Sequence, residues 1–77
     1  MIEYRTIETD ADWRNISKLY KSAFPLTERK PLGLIRSTHK KNKADVWLIE
    51  GDGDFRGFAI TINSGDLVML DYFAVAE

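Results

Sequence analysis

The chain of 77 residues contains no cysteine, two prolines, five glycines and a single histidine, His39. Disulfides are therefore excluded, and we predict no metal site, because the common protein metal sites need several cysteine, histidine or carboxylate ligands together. A chain of this length buries only about 60% of the surface that its unfolded form exposes, and small folds usually add such cross-links. Stability must therefore come from apolar packing, with or without a second chain.

Long apolar runs and an excess of one charge are also missing. No stretch approaches the roughly 20 apolar residues of a membrane-spanning helix, and the first residues lack the basic and apolar regions of a secretory signal. The net charge of -1 differs from the basic balance of dedicated nucleic-acid binders. We therefore expect a cytoplasmic protein that binds neither nucleic acid nor membrane.

Charge is nevertheless divided along the chain. Residues 28–43 contain a single acid, Glu28, among the bases Arg29, Lys30, Arg36, Lys40, Lys41 and Lys43. Residues 44–77 contain a single base, Arg56, among the acids Asp45, Glu50, Asp52, Asp54, Asp66, Asp71 and Glu77. Such a division bears on the surface field and on self-association rather than on the fold.

The first half of the chain predicts one strand and two helices. Alternating apolar residues favour a strand over residues 2–8, and Thr9 or Asp10 can cap the helix that follows. Apolar residues recur at steps of three and four through residues 13–24, which is the period of an amphipathic helix. Pro25 ends this helix, residues 25–31 form a loop, and a second helix begins near Pro31.

The second half predicts three strands joined by two tight turns. The strands lie at 44–50, 55–63 and 67–75, and turn residues occupy 51–54 and 63–66. The order is therefore strand, helix, helix, strand, strand, strand. This order predicts an α/β chain of the α+β type with a mostly antiparallel sheet.

The last strand, 67–75, is almost continuously apolar, which is typical of a strand covered on both faces. Its one charged residue is Asp71, and burial of an unpaired acid would cost several kcal/mol. We therefore expect Asp71 to face a cleft, a partner or solvent. A free apolar edge also needs cover, so we expect 1–77 to be a single partial domain: either a second copy covers the edge or the natural protein continues.

Three segments resemble the GNAT superfamily of acetyl-CoA-dependent N-acetyltransferases. Residues 23–31 read AFPLTERKP, similar to the segment AFP-x-x-ER-x-P after the first helix of a group of bacterial members. Residues 54–59 read DFRGFA, similar to the family's strand ending in G-F/Y-A. Residues 70–76 read LDYFAVA and resemble the family's fourth strand, L-x-Y-L-A-V. The resemblance covers the whole chain and implies the N-terminal half of that fold.

The resemblance also implies a place for acetyl-CoA. In the family the fourth strand ends in a bulge, and its exposed backbone groups bind the acetyl and pantetheine parts of acetyl-CoA; by position these residues are Phe73, Ala74 and Val75. A sheet edge can take up a linear amide-bearing ligand in this way. The glycine-rich loop that holds the pyrophosphate in the family, and the second half of the fold, are not in this sequence.

Two carboxylates are candidates for the chemistry. Glu28 lies with Arg29 in the loop that approaches the acceptor groove of the resembling fold, where a carboxylate could hold or deprotonate an ammonium; the alternative is a surface ion pair or a helix cap. Asp71 could act as the base, or it could face solvent or pair with Arg56 or a lysine. We assign Tyr72 to the same acceptor region, although a packing role is favoured for it over proton donation.

Two functions therefore stay open at the level of sequence. The first is a GNAT-type enzyme that transfers acetyl from acetyl-CoA to a primary amine on a small molecule or peptide, of which this chain alone is an inactive portion. The second is a non-catalytic α/β module that binds a partner or itself through its terminal strand. In both cases we expect a homodimer formed through the exposed strand 67–75.

Overall fold

The computed structural model describes residues 1–76 of the chain. Its elements follow the predicted order, and their bounds are β1 (Ile2–Thr6), α1 (Asp10–Ala23), α2 (Leu32–Lys40), β2 (Ala44–Gly51), β3 (Asp54–Ser64) and β4 (Leu67–Val75). The predicted loop contains one 3-10 turn, Leu26–Glu28. None of the helices among these residues combines the length and the apolar character needed to cross a membrane.

The four strands form one sheet in the order β1, β2, β3, β4, and every neighbouring pair is antiparallel. The domain is therefore a small α+β fold with a four-stranded antiparallel sheet and two helices. Two-residue turns join β2 to β3 and β3 to β4. Asp52 and Gly53 in the first turn and Gly65 in the second have positive φ, as tight hairpin turns require.

The first helix begins at a complete capping box. The Thr9 hydroxyl accepts from the Asp12 N–H at 3.1 Å, and the Asp12 carboxylate accepts from the Thr9 N–H at 3.1 Å. Asp12 also accepts two bonds of 2.8 Å from the Arg5 guanidinium of β1. One carboxylate thus satisfies orphan amides of the helix and ties α1 to the sheet. The helix ends at Ala23, ahead of Pro25, as predicted.

Both helices pack on one face of the sheet. The core lies between the helices and the sheet. It contains fully buried side chains from α1, β2 and β3, namely Ile16, Tyr20, Val46, Leu48, Phe58 and Ile60. Ile35 is the buried residue of α2. Burial of such side chains contributes about 1.5–3 kcal/mol each relative to exposure, so this layer supplies most of the stability of a chain without cross-links.

The other face of the sheet has no layer over it among the described residues. One row of side chains on this face runs across three strands and consists of Trp47, Ala59 and Phe73. The rows on either side of it end on β4 at Val75 and at Leu70. Six apolar residues of β4 are more than half exposed: Leu67, Val68, Met69, Leu70, Phe73 and Val75. The prediction that this strand is covered on both faces is therefore wrong for residues 1–76, because both helices lie on the opposite side.

Candidate functional site

A β-bulge interrupts the pairing of β4 with β3. Ile60 is opposite Tyr72, whereas the next residue of β3, Thr61, is opposite Leu70, so Asp71 is the extra residue and has no partner in the ladder. A bulge bends the strand and re-aims the side chain of the inserted residue. Here Asp71 reaches the helix side of the sheet, where it lines a groove with Ile35 of α2.

The carboxylate of Asp71 holds an ammonium group. Its Oδ2 lies 2.8 Å from Nζ of Lys30, and the side chains of Asp71 and Lys30 are 22% and 48% exposed. Of the two pairings open at the level of sequence, the structure thus selects a lysine; the Arg56 guanidinium lies instead 3.9 Å from Asp54. Asp71 is therefore a half-buried acid whose charge is balanced by a half-exposed primary ammonium.

Tyr72 fixes the loop that carries Lys30. Its hydroxyl donates to the Glu28 carbonyl at 3.0 Å and accepts from the Lys30 N–H at 3.1 Å. Its ring meets the rings of Tyr20 and Phe24 edge to face at 5.0 and 5.1 Å. The packing role favoured from the sequence is thus confirmed, and the hydroxyl in addition binds the loop backbone.

Tyr20 holds the same loop from α1. Its hydroxyl donates to the Lys30 carbonyl at 2.9 Å. Burial of the ring, with the neighbouring Tyr72 second, raises the pKa of Tyr20 well above its usual range. The hydroxyl therefore stays protonated and keeps its donor function. The backbone of residues 28–30 is fixed by two tyrosines, while the Lys30 side chain is held only by its ion pair with Asp71.

Two cavities flank the loop. One, of about 230 Å³, lies between α2 and the sheet and is lined in part by Lys30 and Asp71. The other, of about 390 Å³, lies between the loop and α1 and is lined in part by Tyr20 and Arg29. The Arg29 Nε is buried without a hydrogen-bond partner among the described residues. Arg29 thus borders a cavity, as its prediction as a substrate-binding residue requires.

The structure brings together only part of the predicted site. Glu28 meets Tyr72 through its backbone carbonyl, whereas its carboxylate is on an exposed residue of the 3-10 turn. Phe73 and Val75 are 53% and 55% exposed, and Ala74 between them is buried beside Phe58. Tyr72 separates these three residues from the bulge at Asp71 on β4, which is an edge strand among the described residues.

Lys30 is the site residue that the sequence did not single out. It is 41 positions from Asp71, and it is one of six basic residues in its segment. The only feature of the sequence that pointed to a basic residue at this site was the need of Asp71 for a partner. His39 is half-buried near the end of α2, with Nδ1 3.1 Å from the Ala44 carbonyl and its ring against Trp13. The described residues contain no cluster of three metal-ligating side chains.

No protein-family model, curated protein or solved structure matches the chain. Its function therefore has to be inferred from the geometry around Asp71 and from the motifs in the sequence.

Proposed function

We propose that this chain is the N-terminal half of a GNAT-type N-acetyltransferase, which transfers acetyl from acetyl-CoA to a primary amine. The observation that carries the proposal is the contact between Asp71 and Lys30, in which a carboxylate at a strand bulge holds a primary ammonium at 2.8 Å. An acceptor amine needs such a group, because it binds as a cation and reacts only after losing a proton.

The proposed roles follow from the positions of the residues. Asp71 orients the ammonium and accepts a proton, directly or through water, which leaves a nucleophilic amine. This amine attacks the thioester carbonyl of the co-substrate; a C–N bond forms and the C–S bond breaks. The leaving thiolate of coenzyme A takes the second proton, which the acylated nitrogen gives up, and the first proton passes from Asp71 to water. A backbone N–H of residues 73–75 polarises the carbonyl, as preorganised donors do in acyl transfer.

The edge position of β4 supports these residues as the place for acetyl-CoA. Along a free edge, strand N–H and C=O groups point outward and can pair with a linear amide ligand such as pantetheine. Phe73 and Val75 are exposed beside it and offer apolar contact. The assignment of Glu28 and Arg29 to acceptor binding stays a prediction.

Calorimetric titration of acetyl-CoA, followed by an acetyl-transfer assay with small primary amines, tests this proposal. The 77-residue chain is compared with the longer product of its gene, where the gene continues. We expect Asp71→Asn to lower kcat at least tenfold, with cofactor affinity changed less than twofold. Unchanged turnover would remove Asp71 from the chemistry, and absence of both binding and transfer would overturn the proposal.

The exposed apolar strand favours a second candidate function, that of a self-associating module. β4 presents apolar residues at its free edge and on the open face, and a second copy would cover both. Sedimentation equilibrium tests this candidate. We expect a dimer that Leu70→Lys converts to monomer. Leu26→Lys changes an even more exposed leucine, in the loop beside α1, and should leave the mass unchanged. A monomer at high concentration would count against it.

A further inference from the structure

The groove between α2 and the sheet is lined by apolar side chains and by one ion pair. Its apolar lining consists of Leu34 and Ile35 from α2 and Ile62 from β3. Its charged lining is the ion pair of Asp71 and Lys30. The Thr38 hydroxyl also lines the groove, but it donates to the Leu34 carbonyl at 2.8 Å. The carboxylate of Asp71 is therefore the group that determines which polar ligand the groove accepts.

We infer that this groove binds a primary ammonium on a short aliphatic chain, and that Lys30 occupies the ammonium position until such a ligand replaces it. The inference deepens the proposed function by naming the class of acceptor, and it rests on that function only for the fate of the bound amine. Lys30 is itself an ammonium on a four-carbon chain, so the contact that it makes with Asp71 is the contact that the ligand would make.

The size and charge of the groove restrict the ligand. Its volume of about 230 Å³ is below the roughly 300–1,000 Å³ of sites for drug-sized molecules. An aliphatic chain therefore fits between Leu34 and Ile62, whereas a larger ring system does not. A half-buried carboxylate also disfavours neutral and anionic ligands, because replacing Lys30 with either would leave Asp71 without a balancing charge.

Exchange of Lys30 for a ligand requires only a side-chain movement. The Lys30 backbone is held on both sides, by Tyr72 at its N–H and by Tyr20 at its carbonyl. The side chain is 48% exposed, and ion pairs of this kind are weak because water competes with them. Lys30 can therefore turn into solvent while the loop keeps its shape.

Lys30 then acts as an internal competitor, which gives the inference a distinctive test. A site occupied by its own lysine binds a ligand with the intrinsic affinity multiplied by the fraction of time that the site is open. Removal of Lys30 should therefore increase affinity for the ligand, by about two- to sixfold for an ion pair of ordinary surface strength. A lysine that merely stabilised the loop would not produce this gain.

The experiment is a titration of the 77-residue protein with n-pentylamine, followed by NMR or calorimetry without acetyl-CoA. We expect binding of pentylamine and none of 1-pentanol at the same concentration. Lys30→Gln should tighten binding about two- to sixfold, and Asp71→Asn should weaken it by about tenfold or more. Lys40→Gln, on an exposed residue of α2 outside the groove, is the charge-matched control and should leave affinity unchanged.

The outcomes separate this inference from the proposed function. Equal binding of amine and alcohol, or unchanged or weaker binding by a folded Lys30→Gln variant, would overturn the inference. Amine binding that depends on Asp71, in a longer gene product that neither binds acetyl-CoA nor transfers acetyl, would overturn the proposed function alone. Acetyl transfer that persists when the groove binds no amine would overturn the inference alone.

Discussion

The rings of Tyr20 and Tyr72 meet edge to face at 5.0 Å and at 90°, and their hydroxyls bond to opposite sides of Lys30. The Tyr20 hydroxyl donates to the Lys30 carbonyl, and the Tyr72 hydroxyl accepts from the Lys30 N–H. The loop between α1 and α2 is thereby fastened to both the helix layer and the sheet. The position of the Lys30 ammonium over Asp71 depends on this pair of tyrosines.

Tyr72→Phe should release the loop without disturbing the core. The change keeps the ring against Tyr20 but removes the partner of the Glu28 carbonyl and of the Lys30 N–H. We expect the free energy of unfolding to fall by about 1–2 kcal/mol and amide exchange of Lys30 to accelerate. Denaturant unfolding and hydrogen exchange measure the two effects. Tyr4→Phe, on an exposed ring of β1, should change neither.

Asp12→Asn should lower the free energy of unfolding markedly, although it replaces only one carboxylate oxygen with an amide nitrogen. The carboxylate serves the Arg5 guanidinium and the amides of Glu8 and Thr9, and its side chain is almost fully buried. We expect a loss of about 1–3 kcal/mol in urea unfolding. Asp10→Asn is the matched control, since that acid pairs with Arg36 at the surface and should contribute less than about 1 kcal/mol. Similar losses in both variants would contradict this account.

The same carboxylate predicts a pH dependence. Hydrogen bonds from Arg5, followed by those from backbone amides, hold the pKa of Asp12 well below its usual range, against the effect of burial. Because the unfolded chain takes up this proton first, near pH 4, the stabilisation is complete above that pH and is lost as pH falls through the folded pKa. The free energy of unfolding should therefore decline less steeply below pH 4 in Asp12→Asn than in the natural protein, and equal slopes would exclude Asp12 as the cause.

Gly57→Ala should weaken the pairing of β3 with β4. A Cβ at Gly57 would collide with the Ala74 carbonyl and would approach the Val75 Cα at 3.0 Å. Both atoms belong to backbone and cannot turn away, so we expect a loss of about 1–3 kcal/mol. Gly33→Ala in α2 is the matched control, for which we expect the opposite sign. A Cβ at Gly33 has no atom within 4 Å, and alanine favours a helix, so the free energy of unfolding should rise by about 0.5–1 kcal/mol. Thermal unfolding of the two variants measures both changes, and a stability loss of the same size in each would contradict this explanation.

The order of elements was predictable because each has a local cause. The apolar period of α1, the proline after it and the turn residues at Asp52, Gly53 and Gly65 act within a few positions of the chain. The strand predicted at 2–8 ends at Thr6, because Thr9 and Asp12 draw the chain into the helix cap.

The candidate site was predictable only in part. Asp71 was recognisable as an acid that needs a partner, but the bulge that turns it to the helix side depends on the register of β3 against β4. Its partner Lys30 is fixed by two tyrosine hydroxyls from other elements. Nothing in the local sequence separates this lysine from its basic neighbours, since the distinction arises only when the loop packs.

The consecutive pairing of β2, β3 and β4 has a consequence for folding. These strands form a meander with two-residue turns, so their contacts close short loops at low entropic cost. By contrast, β1 reaches β2 only after the chain has passed through both helices. We expect the meander to form early and to open last, and the β1 amides to lose their protection from exchange first. The second half of the chain would then fold before the first half is complete.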